Sequence, residues 1–230
     1  MKEKIALLAD SACDLPHEII KKYNIKVLPL KVIYPNNEEY NDRVDIEPED
    51  VYRRMPAEIP TTSMPCLQDI KNAFHRISEE GFTHVLSVNI SSGLSGTSEA
   101  IRMVAREIDN LRIKVFDSKT LSFGTGWMII DAARNIASGL NFDKVLEKLH
   151  QVQPKIHVYY ILETLEYLRR GGRIGLVSSM LGSLMDIKPV ISVNQEGKYF
   201  TFAKARGRKI SIDKLFEIVR DTVKIRAINL

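Results

Sequence analysis

Three apolar runs in the first half of the chain each stop at a polar tip and lead into a segment with helical spacing. They are Ile5-Ala6-Leu7-Leu8-Ala9, Val85-Leu86-Ser87-Val88-Asn89-Ile90 and Ile113-Lys114-Val115-Phe116. Strands that return through helices must lie parallel, because a parallel neighbour cannot be reached by a tight hairpin. A parallel sheet needs cover on both faces, which is why such strands read as nearly continuous apolar runs. The expected fold is therefore α/β, a Rossmann-like parallel sheet flanked by helices. Ligands of such sheets bind at the carboxyl ends of the strands. The tips Asp10-Ser11, Ser91-Ser92 and Asp117-Ser118 all fall there, so they point to one shared crevice.

The connecting elements follow from spacing. Asp14 is placed to cap a helix starting at Pro16, and Val27–Tyr34 reads as an extended run in which Pro29 marks an edge or a bend. Ile46–Met55 has helical character with Glu47 and Glu49 in its first turn. Leu67–Glu80 carries Leu67, Ile70, Phe74 and Ile77 on one face and stops at Gly81. Helices follow the Ser91–Thr97 turn to about Ile108, then span 123–138 before Gly139, then 142–152. A second, smaller α/β domain is expected from Pro154, which divides the chain into 1–153 and 154–230. It holds a strand over 156–162, a short helix over 164–170 stopped by Gly171-Gly172 and an apolar helix over 176–185. A hairpin of 189–193 with 199–202 turns at Glu196-Gly197, and a closing helix covers 210–223.

With 230 residues and 44% hydrophobic content, the chain can build one large core or two smaller ones. A net charge of +4, with no long basic patch interleaved with aromatics, excludes nucleic acid as the expected partner. No run reaches membrane-spanning length, and Met1-Lys2-Glu3-Lys4 passes directly into a short strand rather than a signal peptide. Cys13 and Cys66 form neither a CxxC nor a metal-ligand spacing, so reduced thiols in the cytoplasm are expected.

The densest chemistry lies in Ser91-Ser92-Gly93-Leu94-Ser95-Gly96-Thr97. A strand turning through glycines into a helix leaves backbone N–H groups facing outward. Those donors, the helix dipole and four hydroxyls suit a small anion. Thr61-Thr62-Ser63-Met64-Pro65-Cys66 offers three consecutive hydroxyls before the Leu67 helix; one suffices for a cap and two remain for a ligand. Asp10 and Asp117 would repel an anion on contact, so with Ser11, Ser91 and Ser118 they are expected to support the site from behind. A magnesium site built on those carboxylates has no further ligands to support it. Leu168-Arg169-Arg170-Gly171-Gly172-Arg173-Ile174-Gly175 supports two readings. One is a helix end with favourable cations and a glycine stop. The other is that Arg170 or Arg173 reaches the anion or forms a basic docking surface.

Two catalytic signatures fail. G-x-S-x-G is not matched by Gly93-Leu94-Ser95-Gly96, and none of His17, His75, His84, His150 and His157 is placed as a partner for a nucleophilic serine. The P-loop pattern is absent. A serine-dependent acyl or phosphoryl hydrolase or transferase using Ser92 or Ser95 remains the alternative to pure binding, as does a binder of a small phosphorylated metabolite.

The ordered set Asp10-Ser11…Asp14-Leu15-Pro16, Thr62-Ser63-x-Pro65, Ser91–Thr97, Asp117-Ser118 and Tyr167-Leu168-x-x-Gly171-Gly172-Arg173 resembles the DegV family of bacterial lipid-binding proteins, over nearly the whole chain. The resemblance implies a two-domain α/β fold with a long-chain fatty acid, such as palmitate, between or within the domains. It implies that Thr62, Ser63, Ser92 and Ser95 hold the carboxylate, with no catalytic residue, metal or cofactor. It further implies a carrier that presents the acid to a separate fatty acid kinase subunit for acyl-phosphate formation, with at most transient membrane contact. Relatives continue through a His-Thr-Gly-Pro-Gly-like segment whose histidine helps bind the carboxylate. The sequence here ends at Leu230, so the second domain is expected to be incomplete relative to the family. Cys13 and Cys66 stand where relatives more often carry a hydroxyl, and Met64 replaces a more usual polar residue. The apolar residues Met180, Leu181, Leu184 and Met185 are expected either to mould around the acyl tail or to serve as plain core.

Overall fold

The three apolar runs form adjacent parallel strands in the computed structural model, which describes residues 3–180 and 187–228. β1 (Ile5–Asp10), β2 (Lys26–Leu28), β6 (His84–Asn89) and β7 (Arg112–Asp117) make a four-stranded parallel sheet in the order β2-β1-β6-β7. Side chains of successive strand residues point to opposite faces. Leu7 and Ala9 accordingly join one core with Leu86, Val88, Met128, Ile129, Phe142, Val145 and Leu149. Ala6 and Leu8 join the other with Ile70, Phe74, Ile77, Ile101 and Val104. The first core is roofed by α1 (His17–Lys22), α5 (Ser122–Ala137) and α6 (Phe142–Val152), and the second by α3 (Leu67–Glu79) and α4 (Thr97–Ala105).

The chain divides into two compact units, Met1–Ile156 and His157–Leu230. The first also contains a three-stranded antiparallel sheet, ordered β4-β3-β5, made of β3 (Lys31–Ile33), β4 (Glu39–Asn41) and β5 (Thr61–Ser63), with α2 (Pro48–Arg54) between β4 and β5. The extended run expected over 27–34 is thus two strands in two sheets. Pro29 cannot donate to a ladder, so the first sheet ends before it and the second begins after it. The Ser11 hydroxyl accepts the Leu30 N–H at 3.0 Å and ties this crossing to the tip of β1.

The second unit contains an antiparallel sheet of β8 (Tyr159–Ile161), β9 (Val190–Val193) and β10 (Tyr199–Ala203), with α7 (Glu166–Arg170) and α8 (Arg208–Ile228). The expected hairpin is present, and Gly197 makes its turn at φ +77°. Val177, Val190, Ile191 and Tyr199 are buried there. Of the helix expected over 176–185, the described part is a 3₁₀ turn, Gly175–Met180. Leu181, Leu184 and Met185 lie outside the described residues, and so does the Met180 side chain. Among the described residues no helix is long and apolar enough to cross a membrane.

Two local expectations change. Asp14 does not cap α1: its backbone is left-handed at φ 52°, Pro16 holds the cap position, and the Asp14 carboxylate pairs with Arg43 at 2.7 Å. Leu67 is 45% exposed rather than on the buried face of α3, because the first helical residue precedes the stripe that Ile70, Phe74 and Ile77 bury.

The N-terminal part of α5 lies close against the turn that follows β1. A Cβ built on Gly126 would stand 2.6 Å from the Cys13 carbonyl oxygen and 2.9 Å from Leu15 Cδ2. Gly126→Ala is expected to destabilise the protein by about 1–3 kcal/mol through overpacking against backbone. Gly96→Ala, whose Cβ would meet only Met64 Sδ at 3.5 Å, serves as the tolerated comparison in urea unfolding.

Candidate functional site

The β6–α4 connection winds inward on itself before it offers anything to a ligand. Ser91 is buried; its N–H donates to the Thr120 carbonyl at 2.8 Å, and its own carbonyl accepts the N–H groups of Leu94 and Ser95, both at 3.0 Å. The Ser91 hydroxyl accepts the Gly93 N–H at 3.0 Å. Ser98, also buried, donates to the Ile90 carbonyl at 3.4 Å. Part of the hydroxyl content is therefore consumed in making the turn. Ser95 Oγ lies 2.8 Å from Thr97 Oγ1 and accepts the Thr97 N–H at 3.3 Å, so this pair stands at the start of α4.

Two carboxylates brace the turn. Asp10 is fully buried at the end of β1; it accepts the Ala12 N–H at 3.1 Å and the Ile90 N–H at 2.8 Å, joining the tips of β1 and β6. Burial pushes its carboxyl up to about 6, against the downward pull of those N–H groups. Asp117, at the end of β7, accepts the Ser92 N–H at 3.0 Å and the Ser92 hydroxyl. It also accepts the Lys119 N–H at 3.1 Å and pairs with the Lys119 ammonium at 2.9 Å. Partial burial works against ionisation of Asp117, but the bonds from Ser92 and Lys119 outweigh it and hold the carboxyl below its usual range. Ser118 is buried and reaches the Thr120 carbonyl at 3.2 Å and Thr125 Oγ1 at 2.9 Å, fastening this loop to α5. Asp10, Ser91 and Asp117 thus bond within and between the strand tips, while Ser11 reaches Leu30 and Ser118 reaches Thr120 and Thr125.

Thr62 and Ser63 sit on β5, exposed, paired across the ladder with Val32 and Lys31. None of the three hydroxyls of 61–63 caps α3; Cys66 does, its sulfur accepting the Asp69 N–H at 3.3 Å. The Met64 sulfur lies over Gly96, so the hydroxyl-bearing end of β5 and the Ser/Gly turn are neighbours in space. Sequence distance separates these two bends by some thirty residues; the fold brings them together. Arg170 and Arg173 belong to the second unit, where Arg170 bonds Glu166 at 2.6 Å and Arg173 bonds the Gly171 carbonyl.

Lys119 was not singled out from the sequence. The signal for it was a cation two residues beyond an acidic strand tip, the reach of an Asx turn. It lies at φ 54°, in the left-handed region, and its ammonium touches Ser92 Oγ at 3.2 Å. The described partners of the Ser92 and Ser95 hydroxyls are Asp117, Lys119 and Thr97. None is an imidazole, the base that usually activates a serine. Among the described residues no group of three or more His, Cys, Asp or Glu is placed to hold a metal ion.

The Asp10 proton is bound more tightly by the folded protein than by the unfolded chain. Stability is therefore expected to fall as pH rises from about 4 through 6, by about 3 kcal/mol for this group. Urea unfolding across pH 4–7 tests this, and Asp10→Asn is expected to flatten the profile in that window. A wild-type profile that rises steadily over the same range contradicts the assignment.

Comparison with known proteins places the chain in a family. Residues 4–228 match the family model described as "Uncharacterised protein, DegV family". A DegV domain-containing protein of Clostridium acetobutylicum is 46% identical over 221 residues, covering 96% of this chain and 79% of the relative. One of Clostridium perfringens is 45% identical over 217 residues, covering 94% and 77%. Among solved structures, a DegV family protein from Thermus thermophilus described for its fatty acid binding aligns with a TM-score of 0.87 at 32% identity, over 95% of this chain and 78% of that one. DegV of Bacillus subtilis, described as a fatty acid binding protein, aligns at 0.88 and 26% identity, over 96% and 78%. A stearic acid-binding protein from Eubacterium ventriosum aligns at 0.89 and 26%, over 97% and 78%.

Proposed function

The chain belongs to the DegV family, and from that premise we propose that it binds a long-chain fatty acid in the cytoplasm, without a cofactor or chemistry of its own. The observation that carries this reading is the approach of the end of β5, which bears Thr62 and Ser63, to the Ser/Gly turn before α4: Met64, the next residue, reaches Gly96. Neutral donors of this kind suit one carboxylate. A nucleotide triphosphate would call for a lysine-bearing phosphate loop and a metal. Thr62, Ser63, Ser92 and Ser95 are the headgroup residues of this reading; Ser92 gives its N–H and hydroxyl to Asp117, so its part is to position the turn rather than to donate to the ligand. Three related structures described as binding fatty acids support the ligand class.

The acyl chain supplies most of the affinity. Burying each methylene is worth about 0.8 kcal/mol, so a long chain contributes on the order of 10 kcal/mol before ordering costs. The hydroxyls then choose the orientation, carboxylate end at the strand tips. A carrier of this design hands its ligand to another protein, and a separate fatty acid kinase subunit forming an acyl phosphate is the partner we propose.

Solvent extraction of the purified protein, analysed by mass spectrometry, is expected to release long-chain fatty acid, and titration with palmitate is expected to saturate. Thr62→Ala with Ser63→Ala is expected to weaken palmitate binding about tenfold without a large change in the melting temperature. An empty protein that shows no saturable binding sinks the proposal. A serine-reactive fluorophosphonate is expected to label neither Ser92 nor Ser95; labelling of either would instead favour the hydrolase or transferase alternative.

A further inference from the structure

We infer that Lys119 sets the charge of the headgroup site: it cancels Asp117, so that an anion can approach the Ser/Gly turn that Asp117 holds in place. The inference rests on the fatty-acid reading above and concerns the same site.

The turn needs a carboxylate. Asp117 takes both the N–H and the hydroxyl of Ser92, and with them fixes the first exposed residue after β6. That arrangement carries a cost for an acidic ligand, because a second carboxylate brought beside Asp117 meets like charge in a site of reduced dielectric. It also commits the Ser92 proton to Asp117, which leaves that hydroxyl without a hydrogen to offer. Lys119 answers both difficulties. Its ammonium lies 2.9 Å from Asp117 Oδ2 and 3.2 Å from Ser92 Oγ. An ammonium has three donors, and these two contacts leave one for an incoming oxygen. The Lys119 side chain is 40% exposed while that of Asp117 is 13% exposed, so the cation is the outer member of the pair.

The backbone supports a specific role. Lys119 occupies the left-handed region at φ 54°, where glycine or asparagine is easier to place. Its N–H closes onto Asp117 Oδ1 at 3.1 Å, so the same carboxylate that holds Ser92 also holds the lysine in this conformation. Residues kept in such a conformation tend to cluster where a ligand or switch requires them. Asp117, Ser92 and Lys119 thus form one closed unit with no net charge, in which the lysine is more exposed than the aspartate.

The test compares palmitate with hexadecanol, its uncharged counterpart, on wild type, Lys119→Met and Lys119→Arg. Lys119→Met is expected to weaken palmitate binding by about ten- to a hundredfold and hexadecanol binding by less than about threefold. Lys119→Arg is expected to retain palmitate binding within about threefold. Equal losses for acid and alcohol in Lys119→Met would make the lysine a structural residue and overturn the inference; so would no loss for either. Wild-type protein that binds neither ligand would bring down the fatty-acid reading itself, an outcome distinct from failure at Lys119.

Discussion

The parallel pairing of β6 with β1 on one side and β7 on the other decides where the polar groups at the strand tips can be. Leu7 pairs with Leu86 and Val88 with Phe116, so the three strands end in register, and Asp10, Asn89 and Asp117 reach the same edge. The strands hold that register because each face is buried: a one-residue slip would turn Leu7 and Ala9 out of one core and into the other. From that register follows the bracing of the turn. Asp10 can take the Ile90 N–H only if β1 and β6 end level, and Asp117 can take Ser92 only if β7 does.

The two carboxylates do opposite electrostatic work in similar positions. Asp10 is sealed beneath the turn with backbone N–H groups as its partners, and burial raises its proton affinity. Asp117 stands at the surface of the same edge with an ammonium and a hydroxyl, and those bonds lower it. One carboxylate serves as an internal staple. The other is charged at neutral pH and is paired with the ammonium beside it.

Much of this was legible beforehand. Apolar runs, helical stripes and glycine stops read as they fold, since each is set by local periodicity and by residues with unusual backbone freedom. The hairpin at Gly197 and the run from Phe142 to Val152 are examples. The division of 27–34 between two sheets was only half visible: Pro29 announced an interruption, but nothing local says that the chain beyond it pairs with Glu39–Asn41 and Thr61–Ser63. The hydroxyls of 61–63 resemble a cap from sequence because they precede a helix. In the fold they form a strand, and the cap falls to Cys66.

The sequence alone determined the α/β class, the parallel pairing implied by strand–helix alternation, and the polar tips at which the three strands end. Those rest on short-range rules, period and turn chemistry, that hold wherever the segment is placed. Tertiary structure decided which hydroxyls are engaged within the protein. Ser91 and Ser98 are used within the turn and Ser92 is drawn to Asp117, while Thr62 and Ser63 stay exposed on β5. It also brought in Lys119. The reason is physical: a hydroxyl or ammonium has several bonds it could make, and only the positions of distant backbone and carboxylate groups determine which of them are made.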